Sequence, residues 1–431
     1  MTSPVSPTLS TDQAQTLRAY LHDRTDDMLA FLETLVRIES PTSDPEAQAI
    51  VQKPLTEALR DLGFRVQRAT GGPIANGGRA GDHLVAFPEG RPAGAPVQLL
   101  LGHADTVWPH GTLETMPFEM DREENVVRGP GTFDMKAGLT QMVFALRALR
   151  DLDITPTVWP VVMISADEEV GSPTGSRHIR RIAPCCDRAL VVEPALGLDG
   201  KIKTERKGSG RYTVHVSGKS AHAGLDPDAG SSAILELSHV VQALHELNER
   251  TEGCSVNVGT IGGGTRPNVV ASESRAEVDV RVMTQEQAER IDAAIRNLEP
   301  VIPGTSIRVE GGISRLPMVQ TPASKALWEH AKKAAASIGL DLESGRSGGV
   351  SDGNTASQYT PTLDGLGPVG DGAHARHEFC YIDAMPERST LLAMLIASPP
   401  AQALVSGTAR GRENGEETGA LQSGSVSSKS A

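Results

Sequence analysis

Residues 161–172 read Val-Val-Met-Ile-Ser-Ala-Asp-Glu-Glu-Val-Gly-Ser, an apolar run that ends at three consecutive carboxylates. The apolar and β-branched residues from Val161 to Ile164 predict a buried strand. Carboxylates at the end of such a strand repel one another and lose hydration, so Arg or Lys side chains or a metal ion should lie near them. The alternative is a solvated acidic turn that opens a helix at Ser172, because carboxylates suit a helix N-terminus.

Composition limits the classes of function that this chain can have. Its 431 residues suggest about two or three domains. Aromatic residues make up 3%, and 44 Gly and 28 Pro indicate many loops around an aliphatic core. The net charge of -13 argues against a nucleic-acid partner, which would need a basic stripe. Small molecules or peptides are the expected partners.

The chain is expected to be cytoplasmic and not bound to a membrane. Residues 1–12 lack the basic start and apolar run of a secretory signal. No apolar segment reaches the length of about 18 residues that a membrane span requires. The four cysteines show no zinc or redox spacing, so we expect them to be reduced thiols.

Potential metal ligands follow two other predicted strands. Val97–Leu101 leads into His103 and Asp105, and Ala189–Val192 leads into Glu193. Ligands of helix-covered sheets gather at the carboxyl ends of the strands, so these side chains should meet. The carboxylate of Asp105 can reach His103 and fix its tautomer, although an ordinary hydrogen-bonded pair explains these two residues alone at least as well.

Two loops add further candidates. Asp134 follows a glycine-rich segment and opens a helix, where it is either an N-cap or a carboxylate that bridges two cations. His374 and His377 lie in the loop at residues 370–378. Mixed imidazole and carboxylate ligands suit zinc or a similar divalent ion, and one carboxylate too many for a single tetrahedral site suggests a pair of ions.

The hydrophobic pattern predicts an α/β fold with an inserted second domain. Amphipathic helices followed by buried strands predict a helix-covered sheet. Alternating strands and two helices then predict a separate α+β domain. We expect an N-terminal arm (1–25), a catalytic domain in two parts (26–207 and 318–400), the inserted domain (208–317) and a disordered tail (401–431).

Four motifs occur in the order Leu-Gly-His-Ala-Asp-Thr-Val (101–107), Gly-Thr-Phe-Asp-Met-Lys (131–136), Asp-Glu-Glu-Val-Gly-Ser (167–172) and Ser-Ala-His-Ala-Gly (220–224). Together they resemble the two-zinc metallopeptidase and deacylase family of glutamate carboxypeptidase, acetylornithine deacetylase, succinyl-diaminopimelate desuccinylase and aminoacylase. Glutamate carboxypeptidase is the closest in motif style. The resemblance implies a zinc-exopeptidase-like mixed sheet covered by helices on both faces, with the inserted α+β domain as a dimerisation lid.

The resemblance also implies two zinc ions per subunit, with Co²⁺ or Mn²⁺ as substitutes. Glu168 would be the general base and Asp105 would orient the site. Glu168 is available because its neighbour Glu169 is the ligand, and adjacent residues of an extended chain face opposite directions. The ligand sets would be His103, Asp134 and Glu193 for one ion, and Asp134, Glu169 and His374 for the other, with His377 as a rival for His374.

The inserted domain would supply further groups by the same resemblance. His222 would reach into the partner subunit of a homodimer as an oxyanion donor. Asn268, Arg281 and the N–H of Gly349 would bind the carboxylate of the substrate. A surface histidine and an arginine in a surface ion pair are the alternatives for His222 and Arg281.

Three functions follow as hypotheses. The first is a zinc-dependent exopeptidase that cleaves an amide bond next to a free carboxylate, in a small or dipeptide-like substrate. The second keeps the metal ions but removes acyl groups from N-acyl amino acids. The third is a binding protein that has the fold without catalysis, and the presence of Glu168 argues against it.

Overall fold

A computed structural model of the chain describes residues 9–74, 78–249, 253–401 and 403–404. These residues divide into two compact units, one drawn from 1–202, 320–344 and 360–431 and the other from 203–319 and 345–359. The start of the predicted arm and the predicted tail after residue 404 lie outside the described residues. In the described part, no helix is both long and apolar enough to span a bilayer.

The regular elements are numbered along the chain. The helices are α1 (Thr11–His22), α2 (Thr25–Val36), α3 (Pro45–Asp61), α4 (Ala137–Asp151), α5 (Gly175–Ile182), α6 (Ala233–Glu249), α7 (Gln285–Arg296), α8 (Pro322–Ser337), α9 (Asp352–Ala356) and α10 (Ala384–Ile396). The strands are β1 (Phe64–Ala69), β2 (His83–Pro88), β3 (Val97–His103), β4 (Glu119–Asp121), β5 (Val126–Arg128), β6 (Trp159–Ser165), β7 (Cys186–Val191), β8 (Ile202–Arg206), β9 (Gly208–Ser217), β10 (Ser255–Gly263), β11 (Glu273–Val282), β12 (Ser306–Arg315), β13 (Ser344–Ser347), β14 (Thr362–Leu363), β15 (Gly370–Asp371) and β16 (Phe379–Tyr381).

Helix α1 lies where the sequence predicted an N-terminal arm. Ser10 caps it, because its hydroxyl accepts from the Gln13 N–H at 3.2 Å while the Gln13 side chain accepts from the Ser10 N–H at 3.0 Å. Leu17 and Leu21 are fully buried, and the helix packs on α4 and α10. The arm prediction is therefore wrong for residues 11–22, where apolar residues at helical spacing join the core.

Six described strands form the main sheet of the first unit, in the order β1-β2-β6-β3-β7-β14. β6, β3, β7 and β14 run parallel, whereas β2 is antiparallel to β6 and β1 is antiparallel to β2. His103 of β3 lies opposite Ser165 of β6, and Leu101 of β3 lies opposite Val191 of β7. The carboxyl ends of these three strands therefore meet at one edge of the sheet.

The central strands are buried on both faces. Leu100, Val162 and Leu190 contribute to a core shared with helices α1 to α4, α8 and α10. Leu99 and Leu101, at the alternate positions of β3, are also fully buried. Because alternate residues of a strand face opposite sides, both sides of the sheet are covered. The predicted mixed sheet inside an α/β fold is confirmed.

Four described strands of the second unit form an antiparallel sheet in the order β10-β11-β9-β12. Helices α6 and α7 pack against it, and Leu237 and Ile291 from these helices join Val214, Val278 and Val280 in a separate core. The sheet and its two helices bury their apolar faces against each other, and such a pair of layers can form a domain. The predicted α+β architecture is therefore present.

The second unit differs in extent from the predicted inserted domain. It also includes Gly345–Tyr359, which the sequence placed in the catalytic domain. Arg206 Nε donates to the carbonyl of Gly349 at 3.0 Å, and Asn354 Nδ2 donates to the carbonyl of Lys207 at 3.0 Å. These hydrogen bonds join segments that are far apart in the chain, so no local sequence pattern could place the boundary.

Candidate metal centre

Asp167, the first of the three consecutive carboxylates, has a structural role. Its Oδ2 accepts from the Thr174 N–H at 2.7 Å and from the Thr174 hydroxyl at 2.6 Å, and its Oδ1 accepts from the Gly175 N–H at 3.2 Å. Gly175 is the first residue of α5, so this carboxylate satisfies N–H groups at a helix start. The alternative of an acidic turn that opens a helix therefore applies to Asp167. The turn is not solvated at this residue, because Asp167 is buried.

His103, at the end of β3, lies in the middle of a cluster of potential ligands. Its Nε2 is 3.2 Å from Asp134 Oδ1 and 3.5 Å from Glu193 Oε1. Ligand atoms of His103, Glu168 and Glu193 lie within 4.8 Å of one another, and so do those of His103, Asp134 and Glu169. The structure thus brings together side chains from three strand ends and from the turn before α4.

His374 approaches the same cluster from the loop before β16. Its Nε2 is 2.9 Å from Glu169 Oε2 and 3.4 Å from Asp134 Oδ2. Asp134 therefore directs one oxygen toward His103 and the other toward His374, as a carboxylate that bridges two metal ions does. His374 and its rival His377 are both exposed, so the contacts with Glu169 and Asp134, and not burial, favour His374 as the ligand.

Asp105 holds the backbone of the cluster. Its Oδ2 accepts from the Thr42 hydroxyl at 2.8 Å and the Glu169 N–H at 3.1 Å, and its Oδ1 accepts from the Glu168 N–H at 3.2 Å. His103 Nδ1 lies 2.9 Å from the main-chain carbonyl of Asp105 and 3.4 Å from its carboxylate. A carbonyl can only accept, so this contact places a proton on Nδ1 and leaves Nε2 able to bind a metal ion. The sequence analysis gave this role in fixing the tautomer to the carboxylate of Asp105, whereas the main-chain carbonyl of the same residue makes the shorter contact.

Surplus negative charge raises the pKa of both imidazoles. Hydrogen bonds with Asp134 and Glu169 raise the pKa of His374 to about 10. Burial alone would lower the pKa of His103, but the carboxylates of Asp105 and Asp134 raise it well above its ordinary value. Burial raises the pKa of Glu169 to about 8, and the charge of Asp134 adds to this. Burial also opposes the ionisation of Asp134, but hydrogen bonds with His103 and His374 lower its pKa.

The donor set fits divalent metal ions. Imidazole nitrogens and carboxylate oxygens are ligands that zinc takes in proteins. Glu169 Oε1 is a buried atom with no hydrogen-bond partner among the described residues, while Oε2 of the same carboxylate contacts His374. Because a buried carboxylate oxygen without a donor costs free energy, a cation is the group that would satisfy it.

Two buried charged residues beside the cluster were missed by the sequence reasoning. Glu378 is fully buried and accepts from the Asp134 N–H at 3.0 Å, and burial raises its pKa to about 7. Lys136 Nζ donates to the carbonyl of Ile38 at 2.9 Å, and burial lowers its pKa to about 7. Both lie within a few residues of a proposed ligand, Asp134 or His374, and that proximity was the signal that could have found them.

His222 and Asn268 belong to neighbouring loops of the second unit. The Ala223 N–H donates to the carbonyl of Asn268 at 3.0 Å, and His222 pairs with Val269 in a β-bridge. The Nδ1 atom of His222 accepts from the N–H groups of Gly224 at 3.1 Å and Leu225 at 3.0 Å. Two donors at Nδ1 place the proton of the neutral imidazole on Nε2, so this exposed ring presents an N–H donor.

Arg281 and Gly349 both have partners inside the second unit. Arg281 Nε and Nη2 lie 2.8 Å and 3.1 Å from the two carboxylate oxygens of Asp279, which is the ion pair that the sequence left open as an alternative. The N–H of Gly349 donates to the Ser347 hydroxyl at 3.3 Å. A bound carboxylate would therefore have to share or replace these contacts.

The fold and the cluster together define a metallohydrolase. Imidazole and carboxylate groups lie together at one edge of a helix-covered mixed sheet, which is an arrangement that can hold metal ions. The adjacent Glu168 can accept a proton. Peptidase family M20/M25/M40 matches residues 99–398 of this chain. The chain belongs to that family.

Similar proteins agree with this classification. Carboxypeptidase G2 of Pseudomonas sp. (strain RS-16) is 29% identical over 376 residues, which cover 85% of this chain and 87% of that protein. Succinyl-diaminopimelate desuccinylase of Legionella pneumophila is 26% identical, covering 82% and 93% of the two chains. The solved aminopeptidase PepT of Bacillus cereus superposes with a TM-score of 0.70 at 22% identity, covering 89% and 99%. The predicted enzyme class, a hydrolase of carboxypeptidase or deacylase type, is confirmed.

His374→Ala is expected to remove one of the two bound metal ions, because the imidazole lies between Asp134 and Glu169. The matched control His377→Ala changes an exposed residue of the same loop and should keep most of the hydrolytic activity. Elemental analysis of the purified variants, together with rate measurements, checks both expectations. The reverse pattern would assign the ligand position to His377.

Proposed function

We propose that this enzyme uses two zinc ions to hydrolyse an amide bond next to a free carboxylate, as a glutamate-carboxypeptidase-like exopeptidase. The position of Asp134 between His103 and His374 is the observation that carries this proposal. The chemistry that two divalent ions supply in such a site is polarisation of a carbonyl and activation of water. His103, Asp134 and Glu193 would hold one ion, and Asp134, Glu169 and His374 the other, with Co²⁺ or Mn²⁺ as substitutes for zinc.

Glu168 is the general base in this proposal. Its N–H is bonded to the Asp105 carboxylate, which fixes its backbone, and its carboxylate lies within 4.8 Å of ligand atoms of His103 and Glu193. A carboxylate there can take a proton from the attacking water and pass it to the leaving amine. The same position would also suit a metal ligand, so metal content separates the two roles.

The second unit is proposed to bind the substrate. The Nε2–H of His222 would donate to the developing oxyanion, as the resemblance to the family implies. Asn268, Arg281 and the N–H of Gly349 would bind the free carboxylate. Arg281 would then share its guanidinium between Asp279 and the substrate.

An N-acyl-amino-acid deacylase is the second candidate. Similarity to a succinyl-diaminopimelate desuccinylase along most of both chains favours it. Both reactions cleave an amide bond near a carboxylate, so the same ligands and Glu168 would serve either of them.

We also propose that residues 208–317 form a homodimer. β10 is an outer strand of its sheet among the described elements, and Ile261 on this strand is 68% exposed. Ile234 and Leu235, at the start of α6, are also about half exposed. An outer strand with exposed apolar residues is a surface that pairing with a second copy would cover.

A cytoplasmic location is proposed from the cysteines. Cys185, Cys186, Cys254 and Cys380 are free thiols, as expected in a reducing compartment. The net charge of -13 supports a small or peptide-like substrate rather than a nucleic acid.

Hydrolysis should be fastest for substrates that end in a free Glu or Asp, and a chelator should abolish it. A panel of such dipeptide-like compounds and N-acetyl amino acids, assayed before and after chelation and after return of Zn²⁺, measures this. A preference for the N-acetyl amino acids selects the deacylase. Full activity after chelation would remove the metal hypothesis, and a metal-loaded protein that cleaves none of the panel would favour a binding protein.

Glu168→Ala is expected to lower the hydrolytic rate by about 10² or more, because no other group would take the proton from water in its place. Its zinc content should stay close to that of the wild type. Glu169→Ala is the matched comparison, since it removes the neighbouring carboxylate and should reduce metal content as well. Loss of zinc from the Glu168 variant would make Glu168 a ligand, and an unchanged rate would place the base elsewhere.

Ile261→Glu should convert the dimer into monomers, because a charge on the outer strand would be buried without a partner. Light scattering after size-exclusion chromatography measures the mass. Leu198→Glu is the control, because Leu198 is 54% exposed and lies in the first unit. A wild-type monomer, or a dimer that survives Ile261→Glu, would overturn the proposed interface.

A further inference from the structure

The carboxylate of Glu378 accepts four hydrogen bonds. Its Oε1 accepts from the N–H groups of Phe133 at 2.9 Å and Asp134 at 3.0 Å, and its Oε2 accepts from the Gly131 N–H at 2.9 Å and the Trp108 indole N–H at 2.9 Å. The residue is fully buried. Three of these donors belong to the short segment that ends at Asp134, so this carboxylate acts on the segment that carries the bridging ligand.

The segment around Asp134 has irregular backbone geometry. Gly131 has a left-handed conformation with φ of 73°, and Asp134 and Met135 have non-helical backbone angles within the turn. The N–H groups of Phe133 and Asp134 therefore have the Glu378 carboxylate as their acceptor instead of a regular helical carbonyl. Buried N–H groups need such acceptors, so the conformation that presents Asp134 depends on Glu378.

Glu378 also belongs to the loop that carries His374. The Glu378 N–H donates to the carbonyl of Ala375 at 3.0 Å, and the Ala375 N–H donates to the carbonyl of Gly372 at 2.8 Å, which folds this loop into consecutive turns. Directly after the loop, β16 pairs with β5, with Phe379 opposite Arg128. One side chain thus joins the loop of His374 to the segment of Asp134.

Trp108 links a third ligand-bearing segment to Glu378. It lies a few residues after His103 and Asp105, and its indole N–H donates to Oε2. Two donors point at each oxygen, so only a carboxylate can accept all four bonds. In a Gln side chain, an NH₂ group would replace one oxygen and would face two N–H donors without being able to accept from them.

We propose that Glu378 is a positioning residue that fixes the backbone of Asp134, the carboxylate that would be shared by both metal ions, with Trp108 as one of the four donors to Glu378. The proposal rests on the metal site described above and goes beyond it, since both oxygens of Glu378 accept from N–H donors and the residue is outside the two proposed ligand sets. Outer carboxylates of this kind orient metal ligands and affect metal affinity.

Glu378→Gln should weaken Co²⁺ binding by about 10- to 100-fold and change the visible absorption spectrum of the cobalt protein. Competition with a chelator measures the affinity without any assay of activity. Glu236→Gln is the matched control, because Glu236 is also fully buried and accepts from the N–H groups of Val301 and Ile302 and the Thr305 hydroxyl in the second unit. This control should lose stability and keep the cobalt affinity and spectrum of the wild type.

Trp108→Phe provides a second test that does not depend on the folding of the Gln variant. It removes one donor and keeps the carboxylate, so we expect a smaller loss of cobalt affinity, about 2- to 10-fold. Wild-type cobalt affinity and spectrum in both Glu378→Gln and Trp108→Phe would overturn the positioning role while the proposed function stands. A wild-type protein that binds no Co²⁺ or Zn²⁺ would overturn the metal site itself, and the proposed function with it.

Discussion

Crowding of negative charge at one edge of the central sheet is the constraint on which the site depends. Asp134, Glu169 and Glu193 approach the imidazoles of His103 and His374, and the pKa of both imidazoles is raised as a result. Parallel strands β3, β6 and β7 end side by side, which brings His103, Glu169 and Glu193 together, and Asp134 and His374 reach the same edge from loops. Folding therefore works against their repulsion, and cations bound at this edge would relieve it.

Two other buried carboxylates, which are outside the proposed ligand sets, accept hydrogen bonds from the backbone of the cluster. Asp105 accepts from the N–H groups of Glu168 and Glu169, and Glu378 accepts from the N–H of Asp134. Each one binds the backbone of the segments that carry the acidic side chains. Since neutral N–H donors satisfy them, they add rigidity to the site without drawing on the cations that the ligands require.

The sequence predicted the parts of this site that depend on local pattern. Buried strands that end in polar residues predicted that His103 and Glu193 would meet, because parallel strands end together, and their side chains lie 3.5 Å apart. The same reasoning could not predict the contact between Glu378 and Asp134, which joins residues 244 positions apart. The inclusion of Gly345–Tyr359 in the second unit depends on comparable long-range bonds. Helix α1 is a different case, since Leu17 and Leu21 already stand at helical spacing.

The supply of hydrogen-bond donors, and not burial alone, decides which carboxylates need a cation. Asp167 and Glu169 are two residues apart, and their side chains are 0% and 4% exposed. Asp167 accepts from N–H groups at the start of α5, whereas Glu169 Oε1 has no donor in the part of the chain that the structure describes. Repulsion and desolvation are common to all three consecutive carboxylates, so these two effects do not distinguish them, and only the family resemblance separated Glu168 from Glu169. The geometry divides them, since a helix start can neutralise only the carboxylate that reaches its N–H groups.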